Sequence, residues 1–288
     1  MDPTAECARH PGRPALTICN RCDRPMCGDD LIEAPVGRQC VDCARSAPPV
    51  RRLGDPVPTP TVTRALVIAI VAVAALGTTG AVDARTFGLV PAFVGLGEWW
   101  RLITSAFLHG GLVHLGFNGL LLWRLGQMLE PRVGPGTFLG LAASGMAGGG
   151  LGVVALSWLV VATPIDAFPA AGWILGAGPL TITVGASGAV FGLMGAVLVR
   201  YRRSGIDPWS TAEGSTVGAL VLLNLVLTFA VPSISVGGHV GGLVGGGIAA
   251  VLVRSRRLGD TIRTVGLAAA LIVIATLVAR QVVLATFG

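Results

Sequence analysis

Apolar and polar positions divide this chain unevenly. The first 60 residues are polar and rich in proline, whereas from Val62 onward the chain is mostly apolar. Seven apolar stretches stand out, near 64–82, 113–130, 137–162, 186–201, 214–232, 237–254 and 263–285. A lipid-crossing helix needs about 20 residues, in a range of about 17–25. Each stretch therefore reads as a spanning helix, the fourth and sixth being short and glycine-rich. The expected fold class is an all-α polytopic membrane protein with seven transmembrane helices. A small head (1–45) and a proline-rich, semi-rigid linker (46–61) precede the membrane body (62–288). The head has no uninterrupted apolar run, so no signal peptide is expected.

Composition agrees. Hydrophobic residues make up 52% of the chain and charged residues 12%, and the mean hydropathy is +0.74. A soluble domain of this size carries about 25% charged residues. The 42 glycines point the same way, because small residues let membrane helices approach closely. The net charge of +6 comes almost wholly from arginine, and with the alanine–glycine bias this reads as GC-rich bacterial coding.

The arginines also predict orientation. Arg51, Arg52 and Arg64 precede the first span, and Arg124 and Arg132 lie around the end of the second. Arg200, Arg202 and Arg203 follow the fourth, and Arg254, Arg256, Arg257 and Arg263 separate the last two. With the N-terminus in the cytoplasm, all these clusters fall on the cytoplasmic side, as positive residues prefer. The expectation is a multi-pass cell-membrane protein, N-terminus inside and C-terminus outside. Only Arg280, late in the last span, breaks the pattern.

This topology brings distant polar residues to one depth. Ser187 starts the fourth span, His239 the sixth, and His114 the second, all toward the outer face. Ionisable groups inside lipid are costly and usually face a partner or a wet cavity. Ser187 and His239 are also the residue types of a nucleophile and its general base. Gly238, Gly242 and Gly246 lie four apart on the sixth span, a stripe that permits backbone contact with a neighbouring helix. Gly185 and Gly188 flank Ser187 and leave room for a substrate backbone. His114 and Asn118, one turn apart, share a helical face and offer donors for a developing oxyanion. The backbone N–H of Ser187 adds a third near a helix N-terminus. No carboxylate is placed to orient His239: Asp166 lies in a loop and Glu98 precedes the second span, so a dyad is expected rather than a triad.

Gly185-Ala186-Ser187-Gly188, His114-x-x-x-Asn118 and His239-x-x-Gly242-x-x-x-Gly246, each in the right span, resemble the rhomboid intramembrane serine proteases. Trp100-Arg101 resembles the family's loop motif, and His109 stands where members often carry another histidine. The resemblance covers roughly 64–255 and implies a six-helix rhomboid-like core followed by a seventh C-terminal transmembrane helix. It implies Ser187 as nucleophile, His239 as general base, and His114, Asn118 and the Ser187 N–H as oxyanion hole, with no cofactor for catalysis. Phe191 stands where many members have a tyrosine beneath the catalytic histidine. The substrates implied are transmembrane proteins unwound locally within the bilayer, admitted beside the fifth span. Taken singly, a membrane serine or a glycine stripe is more often a packing device. The rival function is a non-proteolytic membrane protein that holds single-span clients in the same cavity. A small-solute transporter ranks lower, because no internal repeat is visible.

The head holds all six cysteines, in Cys7-x-x-His10, Cys19-x-x-Cys22, Cys27-x-x-Asp30 and Cys40-x-x-Cys43. Four such pairs supply eight ligands, enough for two closed tetrahedral zinc sites of structural type. Asp29 is a rival ligand to Asp30. A disulfide framework or an iron–sulfur cluster are the alternatives, and a reducing compartment argues against disulfides. The pattern resembles B-box-type zinc fingers, in which pairs alternate. That implies one zinc on Cys7, His10, Cys27 and Asp30, and the other on Cys19, Cys22, Cys40 and Cys43. Arg9, Arg13, Arg21, Arg24 and Arg38 have little aromatic interleaving, so nucleic acid is disfavoured and a protein-interaction or self-association module is expected.

Overall fold

The computed structural model describes residues 5–33, 37–45, 59–163, 177–205, 207–231, 234–253 and 258–288. Two compact units result, Met1–Val57 and Pro58–Gly288. Asp166 and most of the proline-rich stretch lie outside the described residues.

The head contains two small antiparallel hairpins. β1 (Thr17–Ile18) pairs with β2 (Pro25–Met26), and β3 (Leu31–Glu33) with β4 (Arg38–Cys40), before the short helix Val41–Arg45. Its apolar core is little more than Met26 among the cysteines. So small a core cannot hold a unit of this size without an added staple.

Seven long helices stand among the described residues of the second unit. They are α1 (Thr61–Thr78), α2 (Leu112–Val133), α3 (Pro135–Ala162), α4 (Ser187–Ser204), α5 (Ala212–Ala230), α6 (Val236–Leu252) and α7 (Leu258–Phe287). The first begins at Thr61, inside the stretch read as linker. On length and composition alone, α1, α3 and α7 can cross a membrane. The segment Arg101–Phe107 with α2, bent by 98°, makes a fourth span if counted as one. The others fall short for visible reasons: α4 carries Arg200, Arg202 and Arg203 in its last turns, and α5 and α6 are brief. Large apolar side chains face outward on several helices, among them Ile68, Leu222, Phe229 and Val273. Lipid is the solvent that suits such a surface. The chain is a polytopic helical membrane protein.

Helix ends follow from local chemistry. Ser235 caps α6 by accepting from the Gly238 N–H at 3.1 Å, and Thr211 caps α5 through Gly214 N–H at 3.0 Å. The N-terminus of α1 is capped by a distant residue: the buried Glu130 carboxylate of α2 accepts from Val62 N–H (2.9 Å), Thr63 N–H (2.8 Å) and Thr63 Oγ1 (2.7 Å). Gly134, at φ +88°, makes the sharp turn from α2 into α3.

Glycine decides how the core helices pack. α6 has two glycine faces. A methyl group at Gly242 would lie 2.5 Å from the Gly188 carbonyl oxygen of α4, and one at Gly246 would strike Gly192. On its other face, a methyl at Gly237 would lie 2.5 Å from the Gly152 oxygen of α3, and one at Gly245 3.0 Å from Gly148 Cα. Helices α3, α4 and α6 therefore touch backbone to backbone.

Before α2 the chain folds into short helices, Ala84–Phe87, Pro91–Gly95 and Arg101–Thr104. Arg101 is buried there: it donates to the carbonyls of Arg85 and Gly88 (both 2.8 Å), pairs with Glu98 (2.6 Å) and lies over the Phe93 ring. Leu89, Val94 and Leu102 pack with Val153 and Val154 of α3 and Ala275, Ala279 and Val282 of α7. The loop is thus a folded shelf braced by α3 and α7, and Trp99 and Trp100 are exposed on it.

Candidate active site and metal centres

Ser187 is the first residue of α4, and its approach is built by Gly185. That glycine has φ +128°, its N–H donates to the Ser105 carbonyl at 2.9 Å, and Leu89 and Thr183 exchange backbone hydrogen bonds nearby. The shelf therefore holds the segment entering α4. An L side chain would be strained at Gly185, and its Cβ would lie 2.7 Å from His114 Cε1, 2.8 Å from His114 Nε2 and 3.7 Å from Ser187 Oγ. So His114 of α2 and Ser187 of α4 stand on either side of one small gap.

His239 sits one turn into α6, where the Gly242–Gly188 contact draws α6 against the start of α4. Its ring is stacked on Phe191, with centroids 4.1 Å apart and planes 21° apart. His239 Nδ1 lies 2.6 Å from Thr228 Oγ1 of α5. Among the described residues no carboxylate takes that place, and Glu98 is engaged by Arg101 on the shelf.

The two histidines differ in what their nitrogens meet. His114 Nδ1 accepts from the Gly110 N–H at 3.3 Å, so its proton is on Nε2, the nitrogen beside Gly185. Asn118 donates one amide hydrogen to the His114 carbonyl at 2.9 Å, leaving the second for another acceptor. His109 packs edge-on against His114, with centroids 5.1 Å apart.

In the head, the eight residues gather into two groups, Cys19, Cys22, Cys40 and Cys43, and Cys7, His10, Cys27 and Asp30. Within each group all donor atoms lie within 4.8 Å of one another. The Cys22 and Cys40 sulfurs are 3.9 Å apart. A tetrahedral zinc with Zn–S about 2.3 Å sets its sulfurs about 3.8 Å apart, whereas a disulfide needs about 2.05 Å. In the other group, Asp30 Oδ2 lies 2.7 Å from His10 Nδ1, 3.4 Å from Cys27 Sγ and 3.5 Å from Cys7 Sγ. Asp29 instead pairs with Arg13 at 2.6 Å.

Both clusters can hold metal ions, and their donor chemistry suits a cation. Burial pushes the Cys19 thiol up. The backbone N–H groups of Cys40 and Arg21, at 3.2 and 3.4 Å from its sulfur, outweigh that and bring it down to about 6. Cys43, hydrogen-bonded to Cys40, is pushed up to about 12. Four clustered thiols do not ionise together unless a cation sits among them. The arginines of the head are largely spent within it: Arg9 and Arg24 on Asp42, Arg13 on Asp29, and Arg21 on the Cys43 carbonyl.

Residues 96–256, from the shelf to the end of α6, match the rhomboid domain family. Among curated relatives, the rhomboid protease GluP of Bacillus subtilis is 34% identical over 160 residues, 55% of this chain and 27% of the relative. The putative rhomboid protease YdcA of the same organism is 32% identical over 155 residues, 53% of this chain and 66% of the relative. RHOMBOID-like protein 5 of Arabidopsis thaliana is 32% identical over 155 residues, 52% of this chain and 42% of the relative. The chain thus spans less than two thirds of the length of each of these relatives. The family match takes in α2 to α6 and every membrane residue of the candidate site, and on that ground the chain belongs to the rhomboid family.

Proposed function

We propose that the chain is an intramembrane serine endopeptidase that cleaves transmembrane proteins in or near their membrane segments. One set of contacts supports the reading: His114, with its proton on Nε2, and Ser187 flank the space at Gly185, and His239 stacks on Phe191, one turn along the Ser187 helix. In the proposed reaction Ser187 Oγ attacks the scissile carbonyl carbon and its proton passes to His239 Nε2. Negative charge on the carbonyl oxygen is met by His114 Nε2–H, the free amide hydrogen of Asn118 and the Ser187 N–H. The last is one of the first-turn donors a helix leaves unpaired. Collapse breaks the C–N bond, the leaving amine takes the proton from His239, and an acyl ester remains on Ser187. Water, deprotonated by His239, then attacks the ester carbon; the bond to Ser187 Oγ breaks, His239 returns the proton to that oxygen, and the acid is released.

No cofactor is needed for these steps. Each head cluster would hold one structural zinc, fixing the head's fold and supplying no catalytic position. The arginine distribution supports an N-terminus in the cytoplasm, a site opening toward the outer face and a plasma-membrane location. The test is cleavage of a fluorescent transmembrane substrate by the purified protein in lipid. Ser187→Ala and His239→Ala should each abolish it. Undiminished cleavage in either would overturn the mechanism. Client binding without cleavage by the parent protein would point to the holding function.

A further inference from the structure

Thr228 stands in the buried contact between α5 and α6, 1% exposed, and has one hydroxyl proton for two close neighbours. Its Oγ1 is 2.6 Å from the Asn224 carbonyl oxygen, one turn back on α5, and 2.6 Å from His239 Nδ1. A carbonyl only accepts, and two oxygens at that distance repel unless a proton lies between them. The Thr228 proton therefore belongs to Asn224, and Thr228 Oγ1 faces His239 with a lone pair. His239 must then carry its proton on Nδ1, which leaves Nε2 unprotonated.

We propose that Thr228 is a positioning residue that sets the His239 tautomer, completing a Ser187–His239–Thr228 chain in which a hydroxyl stands where serine proteases of other folds use a carboxylate. This rests on Ser187 and His239 acting as nucleophile and base. Only an unprotonated Nε2 can take the serine proton, so the opposite tautomer is inert. With Phe191 stacked on the ring and Thr228 on Nδ1, the imidazole is held against both tilt and rotation. The Thr228 hydroxyl also receives the Nδ1–H of the imidazolium that forms during attack. A neutral oxygen stabilises that charge less than a carboxylate would, and it avoids burying an anion in the membrane interior.

The test uses the full chain in lipid nanodiscs with Thr228→Val, which keeps the shape and removes the acceptor, and Thr228→Ser, which restores it. Thr228→Val should lower kcat roughly 10–100-fold, in line with losses when a histidine's second partner is removed. KM should change less than about twofold, because ground-state binding is untouched. The fluorophosphonate labelling rate of Ser187 should fall in parallel, and Thr228→Ser should recover most of both. Nitrogen-15 spectra of histidine-labelled parent protein, with the His239 signal identified by its loss in His239→Ala, should show the proton on Nδ1. An Nε2–H tautomer would overturn the assignment even if Thr228→Val fails to fold. So would Thr228→Val at parental rates, or Thr228→Ser as impaired as Thr228→Val, which would indicate packing alone. If Ser187→Ala cleaves like the parent, the underlying dyad fails instead. If Ser187→Ala is dead and Thr228→Val is not slowed, only Thr228 loses its role.

Discussion

The Phe191 ring lies under the His239 ring at 4.1 Å, four residues along α4 from Ser187. The helix that carries the proposed nucleophile thus also carries the platform for its base. Phe191 is 1% exposed, so its face, rather than any hydroxyl, supports the imidazole. Phe191→Tyr should keep at least half of the parental activity if the added hydroxyl finds room. Phe191→Ala should lose most activity and cost about 3–5 kcal/mol of stability, the usual range for a buried phenylalanine. Cleavage rates alongside unfolding in detergent check both. Full activity in Phe191→Ala would dissociate the stack from the chemistry.

The glycine seams give a second prediction. Gly242→Ala would press a methyl group on Gly188, one residue from Ser187, and Gly246→Ala one on Gly192. Backbone cannot give way as a side chain can, so each should cost about 1–3 kcal/mol and lower activity by moving α6 off α4. Gly266 of α7 has nothing within 4 Å of the added methyl. Gly266→Ala should be neutral or stabilising by up to about 1 kcal/mol. Thermal unfolding of the three variants in one detergent separates packing from propensity.

Glu130 predicts how α1 is held. Its carboxylate is 3% exposed and accepts from the first turn of α1. Glu130→Ala would strand those buried donors, at a cost of about 1–3 kcal/mol per unsatisfied group. Loosened α1 should show as faster proteolysis in the 59–63 region and a lower melting point. An unchanged melting point would mean that water replaces the carboxylate.

For the head, metal analysis of the full chain should find two zincs per molecule. Asp30→Ala should weaken one site, and Asp29→Ala should retain both. Strong chelation should unfold the head, because its apolar core around Met26 is too small to persist alone. One zinc or fewer in the parent protein would refute the paired sites.

Much of the membrane body was legible in the sequence because lipid imposes a length and a polarity on each helix. All seven long helices lie close to the apolar stretches, and Ser187 and His114 face each other across Gly185 because even-numbered spans begin on one side. The eight head residues also fall into the two groups that alternating pairs imply. Other features were not legible, for physical reasons. Thr228 looks like any threonine in a membrane helix, and its bond to His239 depends on the rotational setting of α5 against α6. The second glycine face of α6, at Gly237, Gly241 and Gly245, needs the partner glycines of α3 before it acquires meaning. The shelf of residues 84–107 has no long apolar period, and Arg101 organises it by hydrogen-bonding backbone carbonyls, which carry no residue signature. The span count differs for a similar reason: α4, α5 and α6 are too short or too charged to qualify singly.

The central claim is that Ser187 is a nucleophile activated by His239. Its most direct test is mass mapping of the fluorophosphonate-labelled full chain in lipid. The account predicts one adduct, on Ser187, that disappears in His239→Ala while that variant keeps its fold. An adduct on another serine, or Ser187 labelling undiminished without His239, would contradict it.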